Sequence, residues 1–489
     1  MMEVSTYQLQ RLSREGNILP YYQEFLADTF TPVSAYLKVR QFSPSFLLES
    51  AEGGEKWGRY SFIGFSPLYT ITYKNGVLKI EGKEGYKETS ITEDPFPELS
   101  NFMNSFSLPE LKELPRFPGG MVGYLSYDMI RCWEELPEFT QKDIPVPEAM
   151  FIIPEHLFIY DHVTHRLKII TFIDLKQESL DEGIKKGKEK GEELREYLFT
   201  NDIPKTCEVN LSSLHSNFCR YDFERAVEKS REYIRKGDVI QVVISQRWEA
   251  KASGDPFSIY RALRSINPSP YMFYLDFGEL KLLGASPEVL VRKEGEVIEV
   301  RPIAGTRRRG KTPEEDIALE KELLQDEKER AEHIMLVDLA RNDVGRVARK
   351  GSVVVTQLMV VERYSHVMHI VSHVRGLIDK GENAFSTVKA TFPAGTVTGA
   401  PKIRAMEIIE ELEPTRRGPY AGAVGYFGFS GNADFCITIR SLTLFKNNLY
   451  LQTGAGIVAD SRPEREYEET VNKAKAMLVA LEWSKGGLD

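Results

Sequence analysis

Leu68-Tyr69-Thr70-Ile71-Thr72-Tyr73, then Lys74-Asn75-Gly76, then Val77-Leu78-Lys79-Ile80, is a pair of β-rich runs joined by a turn. Asn-Gly readily takes the positive φ of a tight turn, so the stretch predicts an antiparallel hairpin. Shorter strand signals flank it at Phe46-Leu47-Leu48, ending in Glu49-Ser50, and at Met150–Pro154 and Leu167–Ile173. Lys176–Tyr197 is charged and reads as a helix, and Thr200–Asn217 as an irregular junction. Beyond it Phe223, Ala226, Val227 and Ile234 share one face of a predicted helix Asp222–Lys236, which Gly237 closes. Asp238–Ala250 follows as a strand, and no regular βαβ rhythm appears. The expectation is an α+β fold: layered antiparallel sheets with flanking helices. An N-terminal domain is expected over residues 1–200 and a C-terminal domain over 218–485.

The composition narrows the function. Of 489 residues, 42% are apolar and 28% charged, the balance of a globular chain. The net charge of −9 argues against a nucleic-acid partner. The run Arg307-Arg308-Arg309-Gly310-Lys311 reads as a solvated loop. No stretch approaches the ~20 apolar residues of a membrane helix, and Met1–Glu15 lacks the apolar core of a signal peptide. The four cysteines are scattered without a CxxC pair, as expected of reduced thiols in a cytoplasmic protein.

Two glycine motifs invite a nucleotide and fail. Gly454-Ala455-Gly456-Ile457-Val458-Ala459 fits GxGxxG/A after a strand at Asn448–Gln452, but Asp460-Ser461-Arg462-Pro463 interrupts any helix and no second strand follows. Gly395-Thr396-Val397-Thr398-Gly399-Ala400-Pro401-Lys402 departs from the Walker spacing, although it leads into a helix with Pro401 at its first position. Both read better as anion nests of bared backbone N–H groups, suited to a small dicarboxylate.

Paired acids suggest a cation. Glu329 and Glu332 sit three apart on a helix predicted over about Glu314–Leu339, and Glu466 and Glu469 repeat the spacing on the final helix. There Tyr467, Val471, Ala474, Leu478 and Leu481 form the expected buried stripe. Carboxylates on two helices suit Mg²⁺, which prefers oxygen ligands and keeps waters. His366, His369 and His373 fall on a β-branched segment, Val367–Val374, so they do not make a three-histidine zinc site, and one catalytic histidine is the better reading.

Five stretches together resemble the chorismate-utilising enzymes, most closely the anthranilate synthase large subunits. They are Gly284-Ala285-Ser286-Pro287-Glu288, Arg301-Pro302-Ile303-Ala304-Gly305-Thr306, Glu332-His333-Ile334-Met335-Leu336-Val337-Asp338-Leu339-Ala340-Arg341-Asn342-Asp343, Pro393-Ala394-Gly395-Thr396 and Gln452-Thr453-Gly454-Ala455-Gly456. They follow the family's order from about residue 218 to 483. The N-terminal third matches through Leu47-Leu48-Glu49-Ser50.

The resemblance implies that ammonia adds to C2 of chorismate, the C4 hydroxyl leaves, and pyruvate is lost to give anthranilate, the first step of tryptophan synthesis. It implies Glu332 and Glu469 as Mg²⁺ ligands, with Glu329 and Glu466 as water-mediated partners. Glu288 would be the general acid, a task that needs a carboxyl protonated near neutral pH, so burial should raise its pKa. His369 belongs with pyruvate loss, and Thr396 joins this catalytic set. Gly305, Thr306, Tyr420, Arg440 and Gly454, Ala455 and Gly456 would hold the substrate carboxylates. Tryptophan would act as feedback inhibitor through Glu49, Ser50, Pro270, Tyr271 and Met272. The chain has no GxSxG elbow and no cysteine in a glycine-rich turn. A separate glutamine amidotransferase subunit is therefore implied, in a heterotetramer of two large and two small subunits.

Two positions separate relatives. Aminodeoxychorismate synthases carry a nucleophilic lysine where this chain has Ala304, and isochorismate and salicylate synthases carry a water-activating lysine at what corresponds to Gln241. A neutral amide cannot deprotonate water, whereas ammonia is already a nucleophile. The alternatives are an aminodeoxychorismate synthase component working without the lysine, and a catalytically silent tryptophan or chorismate sensor.

Overall fold

The computed structural model describes residues 2–50, 58–82, 85–200, 202–363, 367–486 and 488. The predicted hairpin is present as Tyr60–Lys74 and Val77–Gly82. Lys74 faces Val77 across the turn, and Asn75 and Gly76 both take positive φ, 50° and 75°. Two left-handed residues give the turn the twist of its flanking strands.

The hairpin belongs to an antiparallel series. Ile18–Leu26 pairs with Arg166–Asp174, then Ala149–Asp161, then Tyr60–Lys74, then Ser45–Glu49. The series continues past the expected domain junction, because Ser45–Glu49 pairs with Tyr271–Phe277. From there it passes through Leu280–Ser286, Ser441–Phe445 and Asn448–Ile457 to Gln241–Gly254. A second series joins Gly120–Leu125, Ala423–Gly428, Ala433–Ile437 and Val289–Glu294. Val367–Leu377 then carries Val297–Val300, Ile303–Arg308 and Val354–Arg363. Mixed helices and antiparallel sheets are the α+β fold expected. The largest apolar cluster mixes Val122 and Phe151 with Val388, Phe427 and Phe435, so both ends of the chain share one core.

Helix Arg220–Lys236 ends on Gly237 at φ 82°, as its sequence requires. Together with Pro256–Ile266, it flanks the final helix Pro463–Lys485, which lies on the strand Asn448–Ile457.

Several expectations are corrected. The helix predicted over 314–339 is two, Pro313–Gln325 and Glu327–Gly345, because Asp326 leaves helical geometry and caps the second through the N–H groups of Lys328 and Glu329. The junction contains short strands, Val209–Leu211 and His215–Ser216, that pair with Gln241–Gly254. Gly454-Ala455-Gly456 is no loop nest but lies inside the strand Asn448–Ile457. Pro401 caps the helix Lys402–Leu412 and does not begin it. On the final helix the buried stripe runs through Glu466, Thr470, Ala474, Met477 and Leu481. The arginine run is only in part a solvated loop: Arg307 and Arg308 end the strand Ile303–Arg308, Arg307 pairs with Glu322, Asp326 and Glu329, Arg308 with Glu315 and Arg309 with Asp316.

Candidate active site

Glu288 lies between the strands Leu280–Ser286 and Val289–Glu294. Its carboxyl is buried, and burial lifts it from its ordinary value to about 7, against the smaller opposing pulls of Thr396 and Lys473. Thr396 belongs to the short turn Gly395–Val397. The turn is held to its neighbours by Thr398, whose hydroxyl donates to Ala394 O at 2.9 Å and whose carbonyl accepts from Val243 N at 2.8 Å.

The glycine strand forms the next wall. Gly454, Ala455 and Gly456 pair with Ser245, Ile244 and Val243. A Cβ on Gly454 would stand 2.9 Å from the Tyr420 hydroxyl, and one on Gly456 2.5 Å from Gln241 Nε2. Glycine here leaves room for the ends of the Tyr420 and Gln241 side chains and serves no left-handed φ. Lys473, one turn beyond Glu469, donates to Gly454 O at 2.9 Å and pairs with Glu469 at 2.7 Å. Arg440 Nη1 donates to Lys473 O at 2.7 Å. Burial pulls the Arg440 guanidinium down, while Tyr420 and Glu469 oppose it. Burial lifts the Tyr420 hydroxyl to about 12. Lys473 was absent from the sequence reading. Its i,i+4 spacing from Glu469 was the available signal.

The carboxylates approach from two helices. Glu332 accepts from Gln241 Nε2 at 3.2 Å. Burial raises Glu332, and Glu329 and Glu469 raise it further. Burial likewise raises Glu466, with Glu469 adding to it. The four expected carboxylates thus share one electrostatic neighbourhood. Among the described residues, no three potential ligands already converge on a metal. The donor set still fits Mg²⁺: all are oxygens, and a divalent cation would favour the ionised forms of Glu332 and Glu466, while Glu329 and Glu469 are held by Arg307 and Lys473.

His369 lies on the strand Val367–Leu377, opposite Thr306 of Ile303–Arg308. Its Nδ1 lies 3.0 Å from Gly305 O and 3.1 Å from Thr306 Oγ1. A carbonyl can only accept, so Nδ1 carries the proton and Nε2 is the basic nitrogen. Burial, with Arg440 adding to it, holds the ring below its ordinary pKa and so neutral. Gly305 has φ 69°, and a Cβ there would stand 3.2 Å from Glu329 Oε2. His373 is separate, bonded to Glu299 and Arg301, and His366 lies outside the described residues.

The expected tryptophan contacts lie elsewhere. Glu49 and Met272 are cross-strand partners. The Glu49 carboxylate is buried and accepts from Tyr260 at 2.6 Å and Arg264 Nε at 2.9 Å. Tyr271, which follows Pro270, donates to Asp434 at 2.8 Å and accepts from Arg292 at 3.0 Å. Ser50 ends the described segment beside Glu49.

Residues 32–479 match the family described as chorismate binding enzyme. The chain is 49% identical to anthranilate synthase component 1 of Aquifex aeolicus (strain VF5), covering 98% of each. It is 47% identical to that of Acetivibrio thermocellus, over 96% of this chain and 97% of the relative. The crystal structure of anthranilate synthase component I from Streptococcus pneumoniae superposes with a TM-score of 0.76 at 38% identity, covering 93% of this chain and 98% of that one. With the family matched over nearly its whole length and the cleft assembled from the family's segments, the chain belongs to the chorismate binding enzymes.

Proposed function

We propose that this chain is the large subunit of a cytoplasmic anthranilate synthase that aminates chorismate with ammonia and eliminates pyruvate. The observation that carries this reading is Glu288, a buried carboxyl with a pKa of about 7 facing Thr396 and Lys473. Such a group holds its proton up to about neutral pH, far above an ordinary carboxyl, and can give it to the departing C4 hydroxyl. Arg440, Lys473 and Tyr420 surround the glycine strand and supply cationic and hydroxyl donors for a carboxylate. His369, neutral and donating through Nδ1, presents Nε2 for the proton movement of pyruvate loss. Glu332 and Glu469 would hold Mg²⁺, with Glu329 and Glu466 behind them. When bound, Mg²⁺ neutralises the ring carboxylate and orients the ring. Ala304 offers no covalent nucleophile, and Gln241 no base for water, which favours ammonia over the chemistries of the lysine-bearing relatives.

The test is to mix the purified chain, chorismate, Mg²⁺ and an ammonium salt at mildly alkaline pH and to follow anthranilate fluorescence. We expect anthranilate from ammonium but none from glutamine until an amidotransferase subunit is added. No anthranilate from folded protein would reject the reading. Anthranilate from glutamine by the single chain would reject the separate subunit.

We also propose tryptophan feedback through Glu49, Ser50, Pro270, Tyr271 and Met272. Residues 1–200 would form an inhibitor-contributing domain, and 218–485 the catalytic domain. None of these five residues belongs to the chorismate cleft, so inhibition would be allosteric, with a coupling of about 1–3 kcal/mol. Ser50→Phe should leave turnover without tryptophan nearly intact and largely abolish inhibition, measured by chorismate titrations with and without tryptophan. A variant as sensitive as the parent would place the site elsewhere.

A further inference from the structure

Arg417 and Glu413 lie outside every segment that carries the family resemblance, yet both are buried. Glu413 accepts from Arg417 Nε at 3.0 Å and from Nη2 at 2.6 Å. The guanidinium also donates through Nη1 to Val397 O at 2.7 Å and through Nη2 to Val243 O at 2.8 Å. Glu413 Oε1 accepts from both the N–H and the hydroxyl of Ser245, each at 2.8 Å. The cation stands 4.8 Å from the centre of the Tyr127 ring and 5.8 Å from that of Tyr420.

Apart from the Tyr127 ring, these contacts end at or next to the candidate site. Val397 follows Thr396, which faces Glu288. Val243 pairs with Gly456, and Ser245 with Gly454. The Val243 N–H reaches back to Thr398 on the far side of the turn. One guanidinium therefore ties the Thr396 turn, the strand backing the glycines and the Tyr420 ring together. Burying both charges carries a desolvation penalty that an apolar pair of similar size avoids. A planar fork fixes several acceptors at set angles, which neither an apolar pair nor a lysine ammonium can do.

We propose that the Arg417–Glu413 pair positions the reaction, setting the Thr396 turn, the Gly454–Gly456 strand and Tyr420 relative to one another. This rests on the reading of the cleft as the chorismate site. Neither residue touches the reacting atoms, and the effect passes through the groups they hold.

The test uses the full chain with ammonium and Mg²⁺. Arg417→Lys keeps a cation beside Glu413 but removes the fork. The double variant Glu413→Gln with Arg417→Met leaves no unpaired buried charge. For each we would measure kcat, chorismate KM, the pH–rate profile, thermal midpoint and near-UV circular dichroism. We expect folded protein with kcat lowered about 10- to 100-fold and chorismate KM changed much less. The alkaline limb governed by Glu288 should move as the Thr396 turn shifts relative to that carboxyl. Lys473, the charge pulling on Glu288, is untouched, and a purely structural role would not move the limb. Folded variants with parental kcat and an unmoved limb would overturn the proposal. So would a loss that merely tracks the unfolded fraction, or failure of both variants to fold, which would assign the pair to stability. An inactive parent would remove the chorismate reading, and this inference with it.

Discussion

Glu288→Gln is expected to lower kcat by about 10²–10⁴-fold, the usual contribution of a positioned general acid. Glutamine keeps the shape and burial but has no proton to give. In the parent, the acid form is lost as pH rises through about 7, so kcat at constant free ammonia should fall above that value. The variant should lose this limb. Its stability should change in the opposite sense. The folded pKa lies above the unfolded one, so the linked stability is fully present below about 4.5 and is lost as pH rises through about 7. Glutamine avoids ionising a buried carboxyl. The variant should therefore gain stability over the parent above neutral pH, by up to about 3 kcal/mol. Thermal melts at pH 6 and 9, paired with the rate profile, check both halves. A variant with parental kcat would remove Glu288 from the proton transfer.

Glu332→Gln and Glu469→Gln are expected to be nearly as severe. Each keeps an oxygen but removes a negative charge, and hard Mg²⁺ prefers the charged donor. The loss should be about 10²–10³-fold in kcat at ordinary Mg²⁺, the scale of losing one preorganised electrostatic contact. Mg²⁺ binding followed by calorimetry should weaken in parallel, which gives a readout independent of turnover. The structure adds a distinction between the two positions. Glu332 is raised by burial and by its neighbours Glu329 and Glu469, so Glu332→Gln should be tolerated by the apo fold. Glu469 is paired with Lys473, so Glu469→Gln should also free that ammonium and disturb its bond to Gly454 O. Parental turnover and parental Mg²⁺ affinity in both variants would show that the metal sits on other carboxylates.

Local chemistry was legible in the sequence wherever one or two residues decide a conformation. Asn75-Gly76 predicted the hairpin, Gly237 the end of its helix, and the missing βαβ rhythm the antiparallel α+β class. The family segments contain Glu288 and Glu332, and the wider resemblance pointed to His369, Arg440 and Glu469. What the chain alone could not decide depended on partners distant in sequence. Gly454-Ala455-Gly456 looked like an anion nest because glycine bares the backbone in a nest and in a crowded strand alike. Only the docking of Tyr420 and Gln241 against it shows that the missing Cβ atoms make room. The acid-rich pattern over 314–339 hid the break at Asp326, since an aspartate serves equally as a solvated helix residue and as a cap. The arginine run looked solvated until the acidic helices folded against it. Lys473 and Arg417 sit in stretches with no motif, and their contacts arise from helix-to-strand and loop-to-strand packing. The sequence by itself determined the fold class and pointed to the candidate reactive groups. The tertiary structure decided what buries Glu288, what neutralises Glu469 and what holds the cleft's walls together, because burial and long-range pairing are properties of the packed chain and not of any local segment.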